Sequence, residues 1–169
     1  MIQSFWRKCV FEKELNARLF SRKLKEPFKV KKIAILVDAS IGIGSEFFLR
    51  LSKDFNIPEF QISLFLFGNG LMLESQYNQI LKKKEVNYWS VFKGELLDFC
   101  KGDYDLIINY YNTTNILFSL VSIRTDHKLS VGFRGADHRV NDVVFDIDPT
   151  DKITFKKELI MYMKILNKI

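Results

Sequence analysis

The stretch Ile33-Ala34-Ile35-Leu36-Val37 sets five apolar residues in an unbroken row, three of them β-branched, and closes on Asp38-Ala39-Ser40 and two glycines. A strand with one face in water alternates apolar and polar side chains. A strand that is apolar throughout is covered on both faces, and such strands belong to parallel sheets flanked by helices. Tyr104-Asp105-Leu106-Ile107-Ile108-Asn109-Tyr110 is a second run of this kind, followed by Asn and Thr residues suited to opening a helix. These two runs confine the chain to a layered α/β architecture.

The segments between and around them fit that frame. Residues 45–55 carry Phe47, Phe48, Leu51 and Phe55 at helical spacing and stop at Asn56-Ile57-Pro58, and residues 61–67 form the next strand. A short extended segment at 88–92 precedes a short helix at 94–100. Thr113 or Thr114 caps a helix that runs through Ile123. Residues 128–133 and 141–147 give two more strands, and 155–166 a closing amphipathic helix. Strands alternating with helices at this spacing predict a Rossmann-like fold with a mainly parallel sheet and a basic N-terminal helix. At 169 residues, residues 33–169 suffice for a single α/β domain, preceded by an arm helix and linker at 1–32.

The arm concentrates the charge. Ten of the 26 Lys and Arg residues fall in the first 32 positions against three acids, Glu12, Glu14 and Glu26, so this segment carries about seven net positive charges while the remainder sums to about −1. A near-neutral body with a basic arm points to a polyanionic partner. Residues 2–24 lack Gly and Pro and read as one helix ending before Pro27. On a helical wheel Arg7, Arg18, Arg22 and Lys25 fall within an arc of roughly 60°, while Ile2, Trp6, Cys9, Phe20 and Leu24 form a ragged apolar stripe elsewhere. Glu14 pairs with Arg18 across one turn.

No apolar stretch follows Arg7-Lys8, so a secretory signal is not expected, and no apolar run approaches the ~18 to 20 residues of a bilayer crossing. Cys9 and Cys100 match no CxxC or metal spacing and read as reduced thiols of a cytoplasmic protein.

Three clusters carry polar chemistry. Asp38, Ser40, Gly42, Gly44 and Ser45 lie between the first strand and its helix, where open α/β sheets bind ligands; the loop lacks the third glycine of a dinucleotide fingerprint and the Gly-Lys-Ser/Thr end of a P-loop. Asn109, Asn112, Thr113, Thr114 and Asn115 close the Tyr104 strand at the same sheet edge and complete a candidate ligand cleft. Gly132-Phe133-Arg134-Gly135-Ala136-Asp137-His138-Arg139, with His127 upstream, sets a His beside an Asp and two phosphate-gripping arginines, yet no nucleophile accompanies them. Asp146 and Asp148 flank Ile147, and Lys82-Lys83-Lys84 is a basic run. No metal spacing and no cofactor motif emerges.

The order K-K-I-A-I-L-V-D, N-Y-W-S-V-F-K-G, D-Y-D-L-I-I-N-Y-Y, K-L-S-V-G-F-R-G-A-D and N-D-V-V-F-D-I resembles a small uncharacterised family of single-domain proteins from Bacteroidota-type bacteria, over essentially the whole chain. That likeness implies a lineage-restricted protein and no activity. Locally, Y-D-L-I-I-N followed by a helix and S-V-G-F is similar to the N-terminal Rossmann-like domain of heptosyltransferases. Those enzymes use a second such domain for the nucleotide-sugar donor, for which 169 residues leave no room; the likeness speaks for the fold alone.

The leading functional expectation is a non-enzymatic RNA-binding protein, a ribosomal or ribosome-associated one, docking on ribosomal RNA and neighbouring ribosomal proteins. Arg7, Lys8, Arg18, Arg22, Lys23, Lys25, Lys29, Lys31 and Lys32 would contact phosphates. The alternative is a small-molecule or nucleotide-binding α/β protein, of which a transferase-like enzyme is one form. An arm lying on an anionic membrane, with Phe5, Trp6 and Phe20 in the headgroups, ranks behind both.

Overall fold

The computed structural model describes residues 2–20, 27–68, 78–80, 85–87 and 90–169. Its strands are β1 (Ile33–Asp38), β2 (Ile62–Phe67), β3 (Asn78–Ile80), β4 (Tyr104–Tyr110), β5 (His127–Phe133) and β6 (Val143–Phe145). They form one six-stranded sheet in the order β3-β2-β1-β4-β5-β6, and every pairing is parallel. The helices are α1 (Ile2–Phe20), α2 (Ser45–Leu49), α3 (Leu51–Phe55), α4 (Gly94–Cys100), α5 (Ile116–Arg124) and α6 (Lys152–Ile165). None among the described residues is long and apolar enough to cross a membrane.

Strand parity builds two cores. Ile33, Ile35 and Val37 of β1, with Leu106, Ile108 and Tyr110 of β4, point to a first face covered by α2, α3 and α6. Ala34 and Leu36, with Ile107, point to a second face covered by α1, α4 and α5. The chain leaves β1 for β2 along the first face and leaves β4 for β5 along the second, so the winding reverses between β1 and β4. Reversal on opposite faces keeps both crossovers right-handed and opens a crevice at the carboxyl edge of the sheet.

Several boundaries differ from expectation. The helix at 45–55 is divided at Arg50, which keeps helical dihedrals and links α2 to α3. Strand β3 was not legible from pattern, being three residues long. Of the extended segment expected at 88–92, residues 88 and 89 lie outside the described residues, and Phe92 forms an antiparallel bridge with Val86. The last strand contracts to Val143–Phe145. Helix α5 is capped by Asn115 rather than a threonine: its side chain accepts a hydrogen bond from Leu117 N at 3.0 Å.

The larger correction concerns α1. Its buried residues are Phe11 and Leu15, both within the second-face core. Arg7, Phe11, Leu15 and Arg18 recur at intervals of four, four and three, one face of a helix. Arg7 and Arg18 of the basic arc therefore face the domain, while Arg22 and Lys25 lie outside the described residues; of the ragged apolar stripe, Trp6 is 41% and Phe20 93% exposed, and Cys9 is exposed. The inner face carries Phe11 and Leu15 into the core, and polar contacts with Arg124, His127 and Arg139 of the opposing surface flank them.

Candidate functional site

At the end of β1, Asp38 turns back on its own chain. Its Oδ1 accepts from Ser40 N at 2.9 Å and from Ser40 Oγ at 2.6 Å, closing a short 3-10 turn. Gly42 ends that turn with φ 76°, a left-handed conformation that glycine adopts without strain. Gly44 precedes α2 as its N-cap, and Ser45 is buried as its first residue.

Asn109 does not join this loop in a cleft. It points to the second face, fully buried, and donates from Nδ2 to Ser122 Oγ at 2.8 Å and to Asn141 Oδ1 at 2.7 Å. A Cβ at Gly132 would sit 2.5 Å from Asn141 Nδ2, so glycine is what lets Asn141 reach across β5. Asn112 ties the end of β4 to the turn after β5, its Oδ1 accepting from Gly135 N at 2.7 Å.

The basic residues divide in the same way. Arg18 donates to the Ile123 carbonyl and, from Nη2, to His127 Nε2 at 2.6 Å. Since guanidinium only donates, Nε2 accepts, and Nδ1–H donates to the Thr125 carbonyl at 2.7 Å: a neutral, clamped imidazole rather than a general base. Lys29 holds Asn167 Oδ1 and the Ile169 carbonyl at 2.9 and 3.0 Å. Lys32 donates to the Gly102 carbonyl and lies over the Tyr104 ring. Lys8 and Lys31 are exposed. Arg22, Lys23 and Lys25, and the run Lys82-Lys83-Lys84, lie outside the described residues.

What the carboxyl edge does assemble is a crevice between α1 and the start of α5. One compartment, of about 340 Å³, is lined by Ser4, Arg7, Thr114, Asn115, Ile116 and Leu117. An adjoining one of about 310 Å³ shares Thr114 and Ile116 and adds Phe11, Ser119 and the Ala136–Arg139 turn. On that wall Arg139 is gripped from two sides, by Asp137 Oδ2 at 2.7 Å and by Glu12 Oε1 and Oε2 at 2.9 Å each. Hydrogen bonds from this guanidinium hold the Asp137 and Glu12 carboxyls below their ordinary range. His138 is exposed beside them. Beneath the crevice, burial pushes the Tyr111 phenol well up, so it stays protonated.

Thr114 and Asn115 were legible as cleft residues from their place after β4. Ser4, Arg7 and Phe11 were not, because α1 read as an arm and nothing local tells which face it buries. No group of three or more metal-ligating side chains exists among the described residues. Arg134 pairs with Asp146 on the open surface.

A parallel sheet whose winding reverses between β1 and β4, with its crevice outside the carboxyl ends, defines a doubly wound, Rossmann-like α/β protein. The chain belongs to DUF6913, a family of unknown function, which it matches over residues 3–166. No curated protein and no solved structure matches it.

Proposed function

We propose that the protein docks non-enzymatically on RNA, ribosomal RNA being the intended class, through the outer face of α1. The observation that carries this reading is the inverted helix. Trp6, Cys9, Lys13, Asn16 and Phe20 recur at alternating intervals of three and four and are all exposed, with Phe5 and Lys8 beside them. Exposed aromatic side chains interleaved with lysines, in the most basic segment of the chain, suit base stacking combined with phosphate contact.

The same face fits a membrane less well. An interfacial helix keeps charge off its apolar stripe, whereas Lys13 and Asn16 fall in the middle of this one. The phosphate-contacting set is accordingly narrower than the arm as a whole: Lys8, Lys13 and Lys31 among the described residues, with Arg22, Lys23 and Lys25 as further members. Arg18, Lys29 and Lys32 serve the fold.

Sedimentation of native lysate at low and high salt, with and without nuclease, tests the reading, together with anisotropy of a single-stranded RNA on the purified chain. Co-migration with a ribosomal subunit that nuclease abolishes is expected. In vitro, affinity falls steeply with salt and falls again in the Lys8→Glu/Lys13→Glu pair. Binding to phosphatidylserine vesicles in place of RNA would overturn it.

A further inference from the structure

Arg7 is an inward arginine of α1 that the fold leaves half-buried. The other inward arginine of α1, Arg18, is bonded to His127 and to the Ile123 carbonyl, and the arginines facing α1 pair with Glu12 and Glu14. Arg7 makes no ion pair among the described residues, and its Nε is buried without a hydrogen-bond partner. Withdrawing a guanidinium N–H from water without a partner is costly, so an orphan of this kind calls for a group the chain does not supply.

The surroundings say what that group is. Arg7 lines the compartment of about 340 Å³ together with the Ser4 and Thr114 side chains and the first residues of the nine-residue α5. The N-terminal end of a helix carries partial positive charge and favours anions; Asn115 Oδ1 already takes the Leu117 N–H, so α5 offers its dipole rather than that amide. Among the described residues no carboxylate lines this compartment. Asp137, on the wall of the adjoining one, and Glu12 both bond to Arg139. The adjoining compartment offers Phe11, Ile116 and Ala136 as apolar walls, with Thr114, Ser119, His138 and the Asp137–Arg139 pair as polar groups.

We propose that the crevice between α1 and α5 binds a small phosphorylated molecule, its phosphate on Arg7, Thr114 and the start of α5 and its remaining part against Phe11, Ile116 and Ala136. The site lies on the inner side of α1, opposite the face proposed to meet RNA, and stands or falls independently of it.

The probes are inorganic phosphate and phenyl phosphate, titrated into the full chain while methyl NMR follows Ile116, Leu117 and Ala136. Saturable shifts at all three residues are expected with phenyl phosphate, and at Ile116 and Leu117 with phosphate alone. Arg7→Gln should weaken binding about tenfold or more, the loss of a charge-assisted hydrogen bond. Arg7→Lys should retain most of the affinity, and covers the case in which Arg7→Gln does not fold. Lys13→Gln, the same charge removed from the outer face, should change nothing. The proposal fails if neither probe shifts these methyls, or if Lys13→Gln weakens binding as much as Arg7→Gln. It fails equally if a ribo-oligonucleotide shifts Ile116 and phenyl phosphate does not, for then the phosphate belongs to a polymer.

Discussion

The two faces of the sheet are built on different principles. The first is drier: its core cluster is aliphatic and aromatic, the Tyr110 hydroxyl donating to the Pro149 carbonyl at 2.6 Å, with Ser45 and Ser52 buried on α2 and α3. Phe155 sits at its centre, its ring 4.9 to 5.6 Å from those of Tyr110, Phe133 and Phe145. The second face buries Asn109, Ser119, Ser122 and Asn141 among its apolar residues. Two amide atoms there, Asn109 Oδ1 and Asn141 Nδ2, have no partner among the described residues. Its outermost layer, α1, is fastened by the Glu12–Arg139 and Glu14–Arg124 pairs as much as by Phe11 and Leu15. Ion pairs of this exposure add little stability. They fix where the helix lies, and the crevice opens on this face.

Truncation should separate the two most clearly. Phe155→Ala removes a fully buried ring from the first face and should cost about 3–5 kcal/mol, read from the urea midpoint at unchanged slope. Asn109→Ala on the second face should cost about 1–3 kcal/mol, because Ser122 and Asn141 each lose a partner but little apolar packing goes with them. Equal losses would dissolve the contrast.

That contrast also explains what could be read without coordinates. The runs at Ile33 and Tyr104 announced buried strands because both faces of those strands are covered, and the parallel layered fold followed. Asn109 stands in such a run, yet its position before Asn112 and Thr113 invited a place in a cleft. Only the register pairing Asn109 with Leu36 and Gly132 shows that it points beneath α5. The inner face of α1 was misjudged for a related reason. A wheel ranks residues by polarity, whereas the partners that bury Arg18 and Glu14 come from more than 100 residues away in sequence. Of the crevice residues, Thr114 and Asn115 were read as polar cleft residues, though beside Asp38 rather than α1, and Arg7 was read as an RNA contact rather than a crevice residue.

Acid should weaken the second face more broadly. Hydrogen bonds from Arg139 hold the Glu12 and Asp137 carboxyls down. Burial would raise Asp105, but Lys128 Nζ at 2.6 Å and the Lys31 and Lys32 amides outweigh it and hold that carboxyl below its ordinary value too. A carboxyl whose folded pKa is depressed contributes stability above its unfolded pKa and loses it as pH falls through the folded one. On the first face the lowered acids are Asp148 and Asp151, at the surface and held by Thr150 and Thr154 at the start of α6. Hydrogen exchange below about pH 4 should therefore show α1 losing protection along its length, and α6 only in its first turn. Loss of protection around Leu159 and Met163 in step with α1 would break the distinction.

The finest comparison uses thiols. Cys9 is exposed on the outer face of α1, whereas Cys100 is buried at the end of α4 with the Thr125 hydroxyl 3.7 Å from its sulfur, and burial pushes its thiol up to about 11. Since the thiolate is the nucleophile, iodoacetamide at pH 8 should label Cys9 in the native protein and reach Cys100 only when the second face opens. Met163→Cys, at a fully buried position on α6, gives the matching reporter for the first face. Labelling then becomes a measure of local opening on each side. A second face held in register by polar contacts should open more readily than one packed around Phe155, so Cys100 should label faster than the introduced thiol, by about tenfold for a difference near 1.4 kcal/mol. Equal rates would mean that the two faces open only together, and that the polar network and the ion pairs of α1 position the crevice without loosening it.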